Sequence, residues 1–259
     1  PGDIPLVEAE RVTSYRAVVC PDDHPTLVVP VFASATPLAP TVCGCAESHH
    51  TLSLLPTGLQ LSLRLLEAGV RYSTMAKHTF PVDRADALED QTRYVHCSRE
   101  ELLDALAVGR EATVLDIGSG TGFYTDDVAP SAGQVVGVDV QQAMHERYCR
   151  KGVPTNVSLL TAPVHSLPLA EGAVDAAFST MTYHEFATPA AAAELARVCR
   201  SGARVVSVDW TSEGAGGSGP PTDERYNLAH AVETFEAAGF RTVRAATRRE
   251  TFVHVCCKI

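Results

Sequence analysis

The chain has 259 residues, of which 45% are apolar and 20% charged, and its formal charge at pH 7 is −10. This length and apolar content allow a sizeable core, in one large domain or in a domain with an extension. The acidic balance, with no basic cluster beyond Arg248 and Arg249, argues against binding to a nucleic-acid backbone. The sequence has no apolar run of about 18 residues and no signal peptide, so we expect a cytoplasmic protein without a membrane span.

Residues 1–74 show little hydrophobic periodicity and contain eight prolines, and the first methionine of the chain is Met75. Ordering such a segment costs roughly 1–2 kcal/mol per residue, and it offers little apolar surface to offset that cost. We therefore predict a poorly defined N-terminal extension at 1–74, either disordered or produced by a misplaced start. The folded domain is predicted to span 75–259.

The extension also contains several residue types that bind metals. They are Cys20, His24, Cys43, Cys45, His49 and His50. A zinc ribbon requires paired C-x-x-C knuckles, and the pair at positions 43 and 45 has a different spacing. We therefore predict no metal site.

Residues 75–110 are polar and rich in helix-forming residues. Ser98 followed by Glu101 has the pattern of a capping box, and Leu102, Leu103 and Leu106 come next with helical spacing. This segment is predicted to form N-terminal helices.

Three alternating glycines follow a short apolar run at residues 113–117. Gly118, Gly120 and Gly122 predict a tight turn between a buried strand and a helix that starts near residue 123. Backbone in such a turn can approach a nucleotide-like ligand closely. The spacing differs from the G-x-G-x-x-G dinucleotide fingerprint, and Asp116, two residues before the first glycine, suits a ligand with a positive centre.

The next elements alternate between strands and helices. A second strand at 134–140 contains Asp139, which lies nineteen residues after Gly120, where a βαβ unit places a ribose-binding carboxylate. A helix at 141–151 ends at Gly152, and a third strand spans 157–162. A fourth strand at 174–181 is followed by a helix at 188–199, with Thr188 as its predicted cap.

The last third of the chain predicts a fifth strand at 203–210, a Gly- and Pro-rich loop at 212–223 and a helix at 227–239. Two closing strands, at 240–247 and 251–257, are joined by a short turn. The predicted fold is therefore α/β: a Rossmann-like doubly wound sheet, mostly parallel, with a C-terminal antiparallel hairpin.

From Met75 to Ile259 the chain resembles the class I S-adenosylmethionine-dependent methyltransferases. Asp116 to Gly122 has the Asp-x-Gly-x-Gly-x-Gly pattern of their first motif, and the acid after the second strand and the closing hairpin follow in the family's order. The segment from Arg197 to Arg204 resembles the family's Arg-x-Leu-x-Pro-Gly-Gly turn. The resemblance is to the small-molecule branch that includes UbiE and the arsenite methyltransferases, although the segment after the fourth strand has no arsenic-binding cysteine.

The resemblance implies that S-adenosylmethionine is the cofactor and that the helices of 75–110 form a lid over it. Asp139 would hold the ribose hydroxyls, since a carboxylate accepts two hydrogen bonds. Pro163 stands where such families often have an adenine-binding acid, which leaves apolar contacts for the adenine. The predicted cofactor-binding residues are Asp116, Gly118, Ser119, Gly120, Gly122, Asp139, Val140 and Val164.

Tyr183, His184 and Glu185 follow the fourth strand and are the predicted catalytic residues. Ligands of open parallel sheets collect beyond the carboxyl ends of the strands, which places these three side chains near the transferable methyl group. His184 is the candidate base, with Glu185 orienting it, for an acceptor that must lose a proton. The alternative is that Tyr183 and His184 only line the pocket.

The leading hypothesis is S-adenosylmethionine-dependent methyl transfer to an unidentified small-molecule acceptor, and the oligomeric state is left open. A second hypothesis is a catalytically silent protein that binds the same cofactor and acts as a regulator or partner. A third is a nicotinamide oxidoreductase, which the glycine spacing and the final hairpin disfavour.

Overall fold

The computed structural model describes residues 79–259 together with the main chain of Arg16–Ala17. Apart from Arg16–Ala17, the predicted extension at 1–74, including its cysteine and histidine cluster, lies outside the described residues. Arg16–Ala17 pair antiparallel with the strand at Val157–Thr161.

Seven further strands form one sheet with Arg16–Ala17 at its edge. They are β1 (Thr113–Ile117), β2 (Gln134–Asp139), β3 (Val157–Thr161), β4 (Val174–Thr180), β5 (Cys199–Trp210), β6 (Phe240–Thr247) and β7 (Thr251–Lys258). Their spatial order is β3-β2-β1-β4-β5-β7-β6. The first five strands are parallel, whereas β7 runs antiparallel to both β5 and β6.

Six α-helices accompany the sheet in residues 79–259. They are α1 (Arg99–Leu106), α2 (Phe123–Val128), α3 (Gln142–Lys151), α4 (Tyr183–Phe186), α5 (Pro189–Val198) and α6 (Leu228–Ala237). Leu102 of α1 and Tyr148 of α3 belong to the core on one face of the sheet, whereas Leu195 of α5 and Phe235 of α6 belong to the core on the other. The sheet is therefore doubly wound, which confirms the predicted fold, including the antiparallel C-terminal strands.

Side-chain caps define where three of these helices begin, largely as the sequence indicates. The Ser98 hydroxyl accepts the N–H of Glu101 at α1, and the Thr188 hydroxyl accepts an N–H in the first turn of α5. Asn227 caps α6 in the same way. Each cap satisfies a donor that has no partner within its helix.

The segment before α1 is less regular than predicted. It contains two 3-10 helices, Val82–Glu89 and Gln91–Val95, in place of α-helix. None of the helices in residues 79–259 has the length and apolar composition of a membrane-spanning segment.

The strand order reverses between β1 and β4, because the chain winds outward through β2 and β3 and then returns to the other side of β1. Such a reversal opens a crevice at the carboxyl ends of the central strands, and this crevice is where open α/β sheets bind ligands. The glycine turn after β1 and the residues after β4 both lie there.

Candidate active site

A cavity of about 520 Å³ occupies the crevice beside the glycine turn. A second cavity of about 250 Å³ shares Thr79, Gly118, Asp139, Thr182 and Glu185 with it, so the two are contiguous. The smaller cavity has mostly apolar walls. Its walls include Val138, Val140, Ala162, Pro163, Val164 and Phe186.

The three glycines of the turn all have positive φ angles, and they differ in how closely an added Cβ would approach its neighbours. A Cβ on Gly118 would lie 2.2 Å from a methyl carbon of Thr182, and one on Gly122 would lie 2.1 Å from the ring of Tyr148. A Cβ on Gly120 would meet only Leu88, at 3.3 Å. Gly118 and Gly122 are thus required by packing within the protein, whereas Gly120 leaves room on the cavity side.

Asp139, at the end of β2, holds the turn in place. Its two carboxylate oxygens accept the main-chain N–H groups of Gly120 and Gln141, at 2.9 Å and 2.8 Å. Burial raises the pKa of Asp139 to about 6, although these hydrogen bonds oppose the rise. Each oxygen retains a second lone pair, and the residue lines both cavities.

Asp116 and Ser119 lie on the inner side of the turn. Asp116 is buried and accepts the hydroxyl of Thr125, and burial raises the pKa of Asp116 to about 7. The Ser119 hydroxyl lies 3.1 Å from Nε2 of His145, a histidine whose pKa burial lowers to about 3. Asp116 is thus a buried acid at the cavity wall, and its ionised form would be stabilised by a bound cation.

Arg93 brings a positive charge into the larger cavity from the second 3-10 helix. Its guanidinium lies over the rings of Phe123 and Tyr124, at 5.2 Å and 5.3 Å from their centroids, and Nη1 donates to the Leu88 carbonyl. Nε is buried and has no hydrogen-bond acceptor among the described residues. Burial lowers the pKa of Arg93, while the negative charge of Asp116 is one of the influences that raise it. An anionic ligand in the cavity could accept a hydrogen bond from Nε and pair with this buried cation.

His184 lies in the same cavity and is held by a residue that our sequence analysis did not select. Its Nδ1 is 2.9 Å from one carboxylate oxygen of Asp209 and 3.1 Å from the other, and its main-chain N–H donates to the same carboxylate at 2.6 Å. Asp209 lies near the end of β5 and is completely buried. Burial alone disfavours the charged imidazolium, but the charge and hydrogen bond of Asp209, together with the charges of Glu185 and Glu224, more than offset this effect, so the pKa of His184 is raised.

Glu185 faces the cavity beside His184. Its Oε1 is 4.0 Å from Nε2 of His184 and accepts the main-chain N–H of Phe80 at 3.2 Å. Burial raises the pKa of Glu185 to about 7, against the opposing effect of His184. The structure therefore brings two of the predicted catalytic residues to the cavity that contains Asp116 and Gly120.

Tyr183 is the predicted catalytic residue that the structure places elsewhere. Its side chain is buried in the core below the sheet, where it packs against Phe235 and Phe252, and its hydroxyl lies 3.1 Å from Nδ1 of His230. It lines neither cavity. The expectation that Tyr183 lies near the transferable methyl group is therefore corrected: its position assigns it to the core.

The N-terminal segment and the loop after β5 form the roof of the larger cavity. The segment at 79–81 crosses the crevice: the Phe80 carbonyl accepts from the Gln141 side chain at 3.0 Å, while the Phe80 N–H reaches Glu185. Trp210, Pro220 and Pro221 line the opposite side. The segment before α1 thus covers the crevice, whereas α1 itself packs in the core.

Comparison with known proteins agrees with this geometry. Residues 115–207 match the sequence model of a family described as a methyltransferase domain. A solved S-adenosylmethionine-dependent methyltransferase from Aquifex aeolicus is 28% identical, with a TM-score of 0.63 over 70% of this chain and 100% of that one. The chain therefore contains a methyltransferase domain with the fold of the class I S-adenosylmethionine-dependent enzymes. The cofactor of this methyltransferase domain is S-adenosylmethionine.

Two curated relatives match shorter parts of the methyltransferase. The biotin biosynthesis bifunctional protein BioHC of Cellvibrio japonicus is 36% identical over 106 residues, which are 40% of this chain and 21% of that protein. An uncharacterized methyltransferase of Mycobacterium tuberculosis is 33% identical over 105 residues, 40% of this chain and 42% of the relative. The chain thus spans less than half the length of the curated relatives that it matches.

Proposed function

We propose that the protein transfers a methyl group from S-adenosylmethionine to a small molecule bound in the larger cavity. The observation that carries this proposal is the position of Gly120. Gly120, the Asp139 carboxylate and the pair His184 and Glu185 all line one cavity. The proposed cofactor-binding turn and two side chains able to accept or donate a proton therefore border the same cavity.

The residues of the crevice fit the parts of this cofactor. The free lone pairs of Asp139 suit the two ribose hydroxyls, and the apolar walls of the smaller cavity, including Val140 and Val164, suit an adenine ring. Asp116 suits the ammonium group of the amino-acid end. Arg93, with its unpartnered Nε, suits the carboxylate of that end.

Bound in this way, the cofactor supplies an electrophilic methyl group on a positively charged sulfur. The protein's share of the work is to hold a nucleophile in line with that methyl group, and proximity alone can supply about 7–11 kcal/mol of the barrier. Phe80, Met181 and Trp210 give the cavity apolar walls. His184 and Glu185 are the proposed catalytic residues.

A small acceptor fits this site better than a macromolecule. The cavity volume of about 520 Å³, part of which the cofactor's amino-acid end would occupy, lies within the usual range for small-molecule sites, and residues 79–81 and 220–221 line it. The net charge of −10 offers no attraction for a nucleic-acid backbone. The branch of the family stays a prediction.

Two measurements test the proposal. Calorimetry should show binding of S-adenosylmethionine and S-adenosylhomocysteine but not of NAD. Incubation with methyl-labelled cofactor and a bacterial small-molecule extract should then transfer label to a low-mass product and release S-adenosylhomocysteine. Tight cofactor binding without any labelled product, over a broad set of extracts, would contradict methyl transfer and leave a cofactor-binding protein.

A further inference from the structure

Both carboxylate oxygens of Asp209 contact one neighbouring residue, His184. One hydrogen bond fixes the main chain of His184, and Nδ1 of the ring lies within 2.9–3.1 Å of the two oxygens. The carboxylate is fully buried, and the His184 side chain is only 11% exposed. The ring can therefore rotate little, and its Nδ1 faces an acceptor of hydrogen bonds.

The tautomer of His184 follows from this contact. A carboxylate accepts and cannot donate, so Nδ1 must carry the hydrogen that lies between the two residues. In the neutral ring, Nε2 then has a free lone pair. Asp209 occupies the side of the ring opposite to Nε2, and Glu185, the nearest carboxylate to Nε2, is 4.0 Å away, beyond hydrogen-bond distance.

We propose that Asp209 is a positioning residue that holds His184 as the base of methyl transfer, with Nε2 ready to accept a proton from the acceptor. This inference rests on the proposed function. The acceptors that such a base serves are those whose nucleophilic atom carries a proton, and a hydroxyl is the simplest class. An acceptor whose nucleophile carries no proton would not need it.

The step balances with the groups present. Nε2 of His184 takes the hydroxyl proton, and the oxygen forms its new bond to the methyl carbon with one of its electron pairs. The electrons of the broken carbon–sulfur bond stay on sulfur, which becomes neutral. His184 becomes an imidazolium whose charge faces Asp209, and it later gives its proton to water.

Other charges also act on His184. Glu185 lies on the same helix and is engaged by the Phe80 N–H, and the charge of Glu224 raises the pKa of the ring. Asp139 influences Glu185 and belongs to the cofactor side. Asp209 is therefore the residue to change, and Glu224 provides a control with the same loss of charge.

The first test needs no acceptor. In protein with ¹⁵N-labelled histidine and bound S-adenosylhomocysteine, NMR should show the neutral His184 ring protonated at Nδ1, with a pKa above that of an ordinary histidine. His184→Gln identifies the resonances. A ring protonated at Nε2 in its neutral form would overturn the proposal, as would a pKa below the ordinary value.

The second test uses Asp209→Asn. The pKa of His184 should fall by about one pH unit or more, while Glu224→Gln should lower it less and the affinity for S-adenosylhomocysteine should be unchanged. Transfer of label to the extract at pH 7 should fall about 10²-fold or more, and Asp209→Glu should regain part of it. An unchanged pKa in Asp209→Asn would overturn the proposal. If the unmutated protein transfers no label, the proposed function fails, while the NMR result still decides the role of Asp209.

Discussion

Arg93 offers the sharpest test of how the cofactor is held. The change is Arg93→Met, which keeps a long apolar side chain between Phe123 and Tyr124 and removes the charge. The matched control is Arg84→Met. Arg84 lines the same cavity and also lies over an aromatic ring, that of Phe80, but it is exposed at the rim.

The expected magnitude follows from the surroundings of Arg93. The guanidinium is already largely removed from water, and its Nε has no acceptor among the described residues. A carboxylate placed there gains a hydrogen bond to a charged group, worth about 1.5–3 kcal/mol. Since about 1.4 kcal/mol corresponds to a factor of ten, the dissociation constant should rise roughly 10- to 150-fold.

The assay compares two ligands that differ only in the carboxylate. Calorimetry with S-adenosylmethionine and its decarboxylated analogue should show that the unmutated protein prefers the first by about this factor. Arg93→Met should remove the preference, and Arg84→Met should keep it. If Arg93→Met weakened both ligands equally, the loss would come from packing, and the assignment of Arg93 to the carboxylate would be refuted.

Three further predictions concern the turn and its carboxylates. Gly120→Ala should fold but bind S-adenosylhomocysteine poorly, and tight binding would show that the ligand does not lie against Gly120. Gly118→Ala should instead lower the thermal midpoint strongly, because its Cβ would collide with Thr182. Asp139→Ala should cost about 1.5–3 kcal/mol of cofactor affinity by calorimetry, and an unmutated protein that binds a 2′,3′-dideoxyribose analogue equally well would contradict ribose binding. Burial raises the pKa of Asp116 to about 7, so the ionised form that suits the ammonium group forms as the pH rises, and cofactor affinity should increase up to about pH 7. Asp116→Asn should flatten this pH dependence. A flat profile in the unmutated protein would argue against a contact between Asp116 and the ammonium group.

The sequence was informative where local chemistry decides the structure. The apolar run at Thr113–Ile117 became a strand with the predicted bounds, since a short buried run before three glycines leaves few alternatives. The closing strands at Phe240–Thr247 and Thr251–Lys258 are also close to their predicted ranges. Asp139 could be placed beside Gly120 because a βαβ unit has a nearly fixed length.

Tyr183 shows that a position just after a strand does not by itself predict the direction in which a side chain points. It begins a one-turn helix, in which consecutive residues point in directions about 100° apart. His184 and Glu185 therefore face the cavity while Tyr183 faces the core. The apolar partners that select this rotation, Phe235 and Phe252, lie about fifty or more residues later in the chain, and local sequence does not identify them.

Asp209 shows what a residue-by-residue search omits, and Arg93, which the sequence left as either a pocket or a surface residue, shows what such a search leaves open. Asp209 is 25 positions from His184, yet it ends the strand next to β4, so the strand order joins them. A search of every strand end for acids would have found it. Arg93 lies in a 3-10 helix whose period differs from the α-helical one, so periodicity gave no indication of the direction of its side chain.

The backbone of Phe80 links the two halves of the crevice. Its carbonyl is held by Gln141, whose own N–H is bound by Asp139, and its N–H is held by Glu185, the neighbour of His184. One peptide segment is thus fastened at the cofactor end and at the acceptor end, and Thr79 borders both cavities. We therefore expect release of the spent cofactor and entry of the next acceptor to depend on the same few backbone contacts.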